Sequence, residues 1–311
     1  MPDVTVIVPN YNHATYLPRR LESIFNQGYR DFEVILMDDR STDHSVAVLK
    51  TYADRSQVSH LILNDVNSGS PFVQWKKGLQ RSKGKFIWVA ESDDFIDDTF
   101  LTKATKVIDA DREIGIVYAH SVVVDENDNK IRDLYYDEIS PTRWRSDYVT
   151  GGREETIEAL SIANTIANTS SVLIRKELLE RHIDAIASFR STGDWYLWLL
   201  ALNDPNVKVA YLSSVNNYFR IHQQTTRGTG KINFGYVNEY FRCLNFAKSA
   251  GLIRSYHRLS KKTLEMMLMS SSVKSFFTSK AIRSILSWSM KDSFFPSLIL
   301  KVFWSRMFAR L

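Results

Sequence analysis

Four consecutive residues, Glu91-Ser92-Asp93-Asp94, follow a short apolar run, Phe86-Ile87-Trp88-Val89-Ala90. Carboxylates gathered at the end of a buried strand are unfavourable unless a cation or a ligand balances them. Hard divalent cations take carboxylate oxygens and keep coordination positions for substrate phosphates. The same acids would also serve as caps for a helix over 98–109, so alone they fit a metal site or a helix start. Asp38-Asp39 end a second apolar run that begins at Phe32. Aspartates in that position shape turns, and they also accept hydrogen bonds from a nucleobase imide or a ribose hydroxyl. Asp194 opens an aromatic stretch, Asp194-Trp195-Tyr196-Leu197-Trp198, where an acid makes a good N-cap. Tyr218-Phe219-Arg220-Ile221-His222 brings a guanidinium, well matched to phosphate oxygens, and a histidine that is either structural or a ligand.

These residues need elements to hold them. Residues 4–8 read as a buried strand closed by Pro9, and 32–37, 60–63 and 85–90 as further strands. Residues 15–27, 43–54 and 71–82 read as helices, the first with Thr15 as N-cap and Leu17, Leu21, Ile24 and Phe25 on its inner face. Strand and helix alternate through the first 90 residues. That order predicts a doubly wound, mostly parallel sheet of the Rossmann-like α/β class. The acidic and polar clusters fall after the carboxyl ends of its strands, where such sheets bind ligands. Beyond it, 115–136 read as short strands with a turn at 125–129. Residues 154–162, 175–182 and 194–203 read as helical, and 207–212 and 216–221 as two strands. From 233 onward only helical patterns recur.

The chain has 311 residues, 44% hydrophobic and 24% charged, and one cysteine, Cys243. That length suits one large domain with an appendage. A lone cysteine excludes an internal disulfide and a cysteine metal cluster, and fits a reducing compartment. Neither a signal peptide nor an apolar run long enough to span a bilayer is legible, so the expected location is cytoplasmic. Residues 231–311 carry 14 Lys and Arg against 3 Asp and Glu, a net of +11. The whole chain is +5, which leaves residues 1–230 at −6. Tail segments 273–290 and 296–310 mix Trp and Phe with Lys and Arg. They fit a helical cap, a self-association surface, or a peripheral helix on an anionic bilayer. Nucleic-acid binding is not expected, because no recognised motif accompanies the charge.

Taken in order, Val6-Ile7-Val8-Pro9-Asn10-Tyr11-Asn12, Leu21-Glu22-Ser23-Ile24-Phe25-Asn26-Gln27, Asp38-Asp39-Arg40-Ser41-Thr42-Asp43, Asn67-Ser68-Gly69, Gly84-Lys85-Phe86-Ile87 and Glu91-Ser92-Asp93-Asp94 resemble glycosyltransferase family 2. These are inverting enzymes with the GT-A fold, and the resemblance runs from residue 4 to about 225. It implies a catalytic domain over 1–230, with a nucleotide-binding half over about 1–95 and an acceptor half over about 96–230, followed by a basic helical region over 231–311. It implies transfer of a hexosyl or N-acetylhexosaminyl group from a nucleotide-sugar donor, with uridine as the base by family habit. The acceptor would be a hydroxyl of a glycan or lipid-linked saccharide in bacterial surface polysaccharide synthesis.

By the same resemblance, Pro9 and Tyr11 line the base pocket and Asp39 reads the base. Ser68, Gly69 and Lys77 face the donor, and Glu91 and Asp93 meet its ribose or sugar. Asp94 ligates Mn²⁺ or Mg²⁺ with His222 as a further ligand, Arg220 meets the diphosphate, and Asp194 is the catalytic base. The chain departs from the family pattern at Glu91, where Asp is commoner, at Arg40, where Gly or Asn is commoner, and at Gly193, where a second acid often precedes the base. A nucleotidyltransferase would carry a glycine-rich loop after the first strand, which Pro9-Asn10-Tyr11-Asn12 is not. A sugar-binding relative without catalysis would not need both Asp94 and Asp194.

Overall fold

The computed structural model describes residues 1–222 and 234–253. The strands are β1 (Val4–Asn10), β2 (Phe32–Asp38), β3 (Val58–Leu63), β4 (Phe86–Val89), β5 (Phe95–Ile96), β6 (Ile114–Val124), β7 (Lys130–Asp133), β8 (Tyr148–Gly151), β9 (Val172–Arg175) and β10 (Lys208–Arg220). The helices are α1 (Leu17–Phe25), α2 (Ser45–Tyr52), α3 (Pro71–Leu79), α4 (Phe100–Ala110), α5 (Gly152–Glu155), α6 (Lys176–Ile186), α7 (Gly193–Ala201) and α8 (Phe234–Ser249). The strands form one sheet in the order β3-β2-β1-β4-β9-β6-β10-β5, with β7 beside β6 and β8 beside β10. β3, β2, β1 and β4 are mutually parallel, as are β6 and β10. β9 runs antiparallel to both of its neighbours.

Every residue of β1, β2 and β4 is buried. Central parallel strands covered on both faces need continuous apolar runs, and these sequences supply them. In α1, Leu17, Arg20, Leu21, Ile24 and Phe25 are buried, a stripe at helical spacing. Its N-cap is Tyr16, not Thr15, because Pro18 fits the first turn. Gly84 joins the sheet where only a glycine passes: a Cβ there would stand 2.5 Å from the Thr5 nitrogen.

Two expectations are revised. The two strands over 207–212 and 216–221 are one, β10, with a register shift between Leu212 and Asn216. The displaced residues find side-chain partners, since Ser213 donates to Asp147 through its backbone N–H at 2.7 Å and its hydroxyl at 2.6 Å. The bulge lets β10 pair first with β8 and then with β5. Short β9, the only strand antiparallel to both central neighbours among the described residues, was not anticipated.

The chain divides into compact units at Met1–His222 and Gln223–Leu311. Of the second, α8 is described, with Tyr240, Phe241, Cys243, Leu244 and Ala247 buried. The tail segments 273–290 and 296–310 lie outside the described residues. Among the described residues, no helix is long and apolar enough to cross a membrane.

Candidate active site

The loops after β1 and β2 are stitched together. Asp38 accepts from the Asn10 amide at 2.8 Å, and from the Ser41 N–H at 2.8 Å and hydroxyl at 2.6 Å. Asn12 accepts from the Thr42 N–H at 2.7 Å. Asp38 is therefore a structural residue that fixes the turn. Arg40, inside that turn, has φ 63°. The left-handed region suits glycine and asparagine, which explains why those residues are commoner at this position.

Asp39 points the other way, into the loop after β3. Its carboxylate is 5% exposed and takes the Ser68 N–H and hydroxyl, the Asn64 amide at 2.7 Å and the Gln74 amide at 2.9 Å. Ser68 thus donates twice to the carboxylate expected to read a base. Pro9 is buried within β1, whereas Tyr11 just beyond it is 46% exposed and free to stack. Gly69 has φ 68°, the conformation this turn requires, and Arg190 lies against it. Lys77 turns inward and bonds Asn64, while its neighbour Lys76 pairs with Asp184 at the surface.

The acidic motif sits at the end of β4, and its side chains part company. Glu91 accepts from the Trp75 indole at 2.8 Å. Burial and the charge of Asp93 push its carboxyl up to about 8. Asp94 is 2% exposed and wholly committed: it accepts from the Asn168 amide at 2.9 Å, the Ser170 hydroxyl at 2.7 Å and the Arg220 N–H at 3.0 Å. Burial, then the charge of Asp93, raises it to about 6. Asp93 lies 3.2 Å from His222 Nε2. Burial pushes Asp93 up, but the His222 contact and the charges of His13 and His222 outweigh it and hold the carboxyl below its ordinary value. The ligand atoms of His13, Asp93 and His222 lie within 4.8 Å of one another. Of the expected metal pair, Asp94 and His222, Asp94 is turned into the protein and accepts three hydrogen bonds, while Asp93 is the carboxylate that lies beside His222.

Arg220, expected to meet the diphosphate, is engaged within the protein. It is 1% exposed, with Nε donating to the Asp93 carbonyl at 2.8 Å, Nη1 to the Asp125 carbonyl at 3.0 Å, and Nη2 on Asp128. Its guanidinium braces the acidic motif, with each of its three nitrogens making a contact inside the protein.

Asp194 is the second residue of α7 and half-buried; the N-cap is Thr192. Asn164 donates to it at 3.1 Å. The donor loop reaches this segment directly, because the Ser70 hydroxyl donates to the Phe189 carbonyl at 2.8 Å. Gly193 packs on Phe72, and a Cβ there would come within 2.7 Å of that ring. An acidic side chain has no room, so Asp194 stands without an acidic neighbour before it. The stretch 164–170 touches both chemical centres: Asn164 holds Asp194, while Asn168 and Ser170 hold Asp94.

The sequence reading missed His13, Arg20, Trp75, Asn164, Asn168 and Ser170. Arg20 sits at helical spacing on the buried face of α1, a placement visible in the sequence. His13 adjoins the Asn10-Tyr11-Asn12 segment. Asn164 and Asn168 belong to a small, polar run that carries no periodic pattern.

A parallel half-sheet β3-β2-β1-β4, an acidic motif at the end of β4 and an aspartate opening α7 define the class. Residues 5–182 match the model of glycosyl transferase family 2, and the chain belongs to that family. An uncharacterised glycosyltransferase of Haemophilus influenzae is 36% identical over 103 residues, 33% of this chain and 41% of that protein. The poly(ribitol-phosphate) beta-N-acetylglucosaminyltransferase TarS of Staphylococcus aureus is 34% identical over 113 residues, 35% of this chain and 19% of that protein. These matches therefore span well under half of either relative. Among solved structures, S. aureus TarS in complex with UDP superposes with a TM-score of 0.60 at 19% identity, covering 92% of this chain and 75% of the other. The mannosyltransferase PcManGT of Pyrobaculum calidifontis, in complex with GDP-Man and Mn²⁺, gives 0.61 at 15% identity, covering 98% and 88%. At those identities the likeness establishes the GT-A fold.

Proposed function

We propose that the protein transfers a sugar from a nucleoside-diphosphate donor, a UDP-sugar, to a hydroxyl of a cell-surface glycan or its lipid-linked precursor, with inversion. The observation that carries this reading is the stretch 164–170, which hydrogen-bonds both Asp194 and the acidic motif and so ties a base to a donor site. Relatives that act on poly(ribitol-phosphate), and a solved relative binding UDP, favour the uridine donor and the surface-polymer acceptor.

The residues perform separate tasks. Tyr11 and Asp39 receive the base, and Trp75 orients Glu91 toward the donor's ribose or sugar. An imidazole and a carboxylate, His222 and Asp93, suit a divalent cation. Held there, it would neutralise charge on the departing diphosphate. Asp194 accepts the acceptor hydroxyl's proton as the oxygen attacks the anomeric carbon. One base and one displacement invert the centre; a glycosidase would need a second carboxylate at the scissile bond.

The test is thermal shift with UDP, GDP, CDP and dTDP, with and without Mn²⁺, on the wild type and Asp93→Asn. Ligand at about 100 times its dissociation constant stabilises by about 2.7 kcal/mol. A shift with UDP that needs Mn²⁺ and disappears in Asp93→Asn is expected. No shift with any nucleotide in either condition overturns the donor site.

A further inference from the structure

We propose that His13 is a third protein ligand of the divalent cation, and that the resulting two-imidazole, one-carboxylate set selects first-row transition cations over Mg²⁺. This rests on reading the site as the metal centre of a nucleotide-sugar donor. It adds a ligand from the first loop of the fold, and with it a metal preference.

Three observations converge on His13. Its Nδ1 lies 2.8 Å from the Ser92 hydroxyl. A metal-bound imidazole is held in its tautomer by just such a contact at its other nitrogen, which leaves Nε2 for the cation. Its ring stands perpendicular to that of His222, at 89° with centroids 5.3 Å apart. Tyr16 closes the other side, its ring centroid 4.9 Å from His222 and 6.0 Å from His13. The two imidazoles are therefore walled in place against the one carboxylate of the motif that faces them.

Ser92 gains a role by the same geometry. It is the residue between the acids, 2% exposed, and it aims a histidine contributed 79 positions earlier. The acidic motif then supplies one ligand directly through Asp93 and orients a second through Ser92.

The metal preference follows from donor chemistry. Mg²⁺ takes oxygen ligands in near-ideal octahedra and keeps its waters. Imidazole nitrogen favours Mn²⁺, Fe²⁺, Co²⁺ and Ni²⁺ in rising order. Two nitrogens among three protein ligands tilt the site toward the transition series and leave positions open for phosphate oxygens.

The experiment is Mn²⁺ binding to the full chain in the presence of UDP, read from loss of the free-ion EPR signal, with Mg²⁺ as competitor. Wild type, His13→Ala, His13→Gln, Ser92→Ala and Asp93→Asn are compared. Expected are Mn²⁺ binding by the wild type that excess Mg²⁺ displaces poorly, weakening of about 10–100-fold in Ser92→Ala, and a larger loss in both His13 variants with easier displacement by Mg²⁺ in them. Wild-type Mn²⁺ affinity in both His13 variants, with binding abolished in Asp93→Asn, overturns the role of His13 and leaves the metal centre standing. Equal competition by Mg²⁺ in the wild type overturns the preference. No Mn²⁺ binding by the wild type with UDP present overturns both the proposal and the metal centre beneath it.

Discussion

Replacing Arg20 with methionine probes how the protein tolerates its acidic motif before any ligand arrives. Arg20 is fully buried, donates from Nε to the Glu91 carbonyl at 2.8 Å, and has no hydrogen-bond partner for Nη1 or Nη2 among the described residues. Burial lowers its pKa to about 10, so it stays cationic at neutral pH beside Asp94, Asp93 and Glu91. Methionine fills similar space in α1, which makes the change chiefly one of charge. Removing one side of a buried charge set costs about 3–5 kcal/mol. At about 2–4 °C per kcal/mol for a domain near this size, Tm should fall by about 6–20 °C. The loss should also depend on pH. Glu91 and Asp94 titrate near 8 and 6 in the fold, above their ordinary values of 4.5 and 3.8. Groups raised in this way stabilise the fold fully below their unfolded pKa values, and that contribution disappears as pH rises through 6 and then 8. Without Arg20 both carboxyls move higher still, so the deficit should widen on alkalinisation and shrink on acidification. Thermal unfolding of wild type and Arg20→Met without metal, from about pH 5 to about pH 9, measures it. A deficit under about 1 kcal/mol, or one flat across that range, would refute the counter-charge role.

Asp194→Asn should lower kcat by about 10²–10⁴-fold while leaving UDP affinity unchanged, because the base acts on the acceptor and not on the donor; a parallel loss of UDP binding by calorimetry would refute the assignment. Asn164→Ala removes a hydrogen bond that favours the ionised carboxylate. The acid limb of the kcat–pH profile should therefore move to higher pH, and an unmoved limb would make Asn164 merely structural. Arg40→Gly relieves a left-handed backbone and should raise stability by up to about 1 kcal/mol; a lower Tm would show that the arginine makes a compensating contact.

The parallel N-terminal part of the sheet was legible because its signals are local. Val4–Asn10 and Phe32–Asp38 are buried along their whole length, so unbroken apolar runs revealed them. The polar clusters at their ends fell where parallel sheets bind ligands. The part of the sheet after β4 relies on contacts that no local pattern encodes. β9 has four residues and is a strand only because β4 and β6 flank it. The choice between Asp93 and Asp94 was illegible for the same reason. Two adjacent acids leave the chain in different directions, and the one used internally is decided by Asn168 and Ser170, 74 and 76 positions away. Arg220 looked like a phosphate ligand by type, yet Asp125 and Asp128 had already engaged it.

If Asp39 reads the base as proposed, the Ser68 contact gives that pocket an occupant of its own. Because the Ser68 N–H and hydroxyl already satisfy Asp39, an incoming uracil trades hydrogen bonds and gains none outright. Net affinity must then come from stacking on Tyr11 and from the diphosphate, while the serine acts as an intramolecular competitor. On that reading, a base that cannot replace both donations would leave Asp39 better served by the protein's own loop, and rejection of the wrong nucleotide would be built into the unliganded fold.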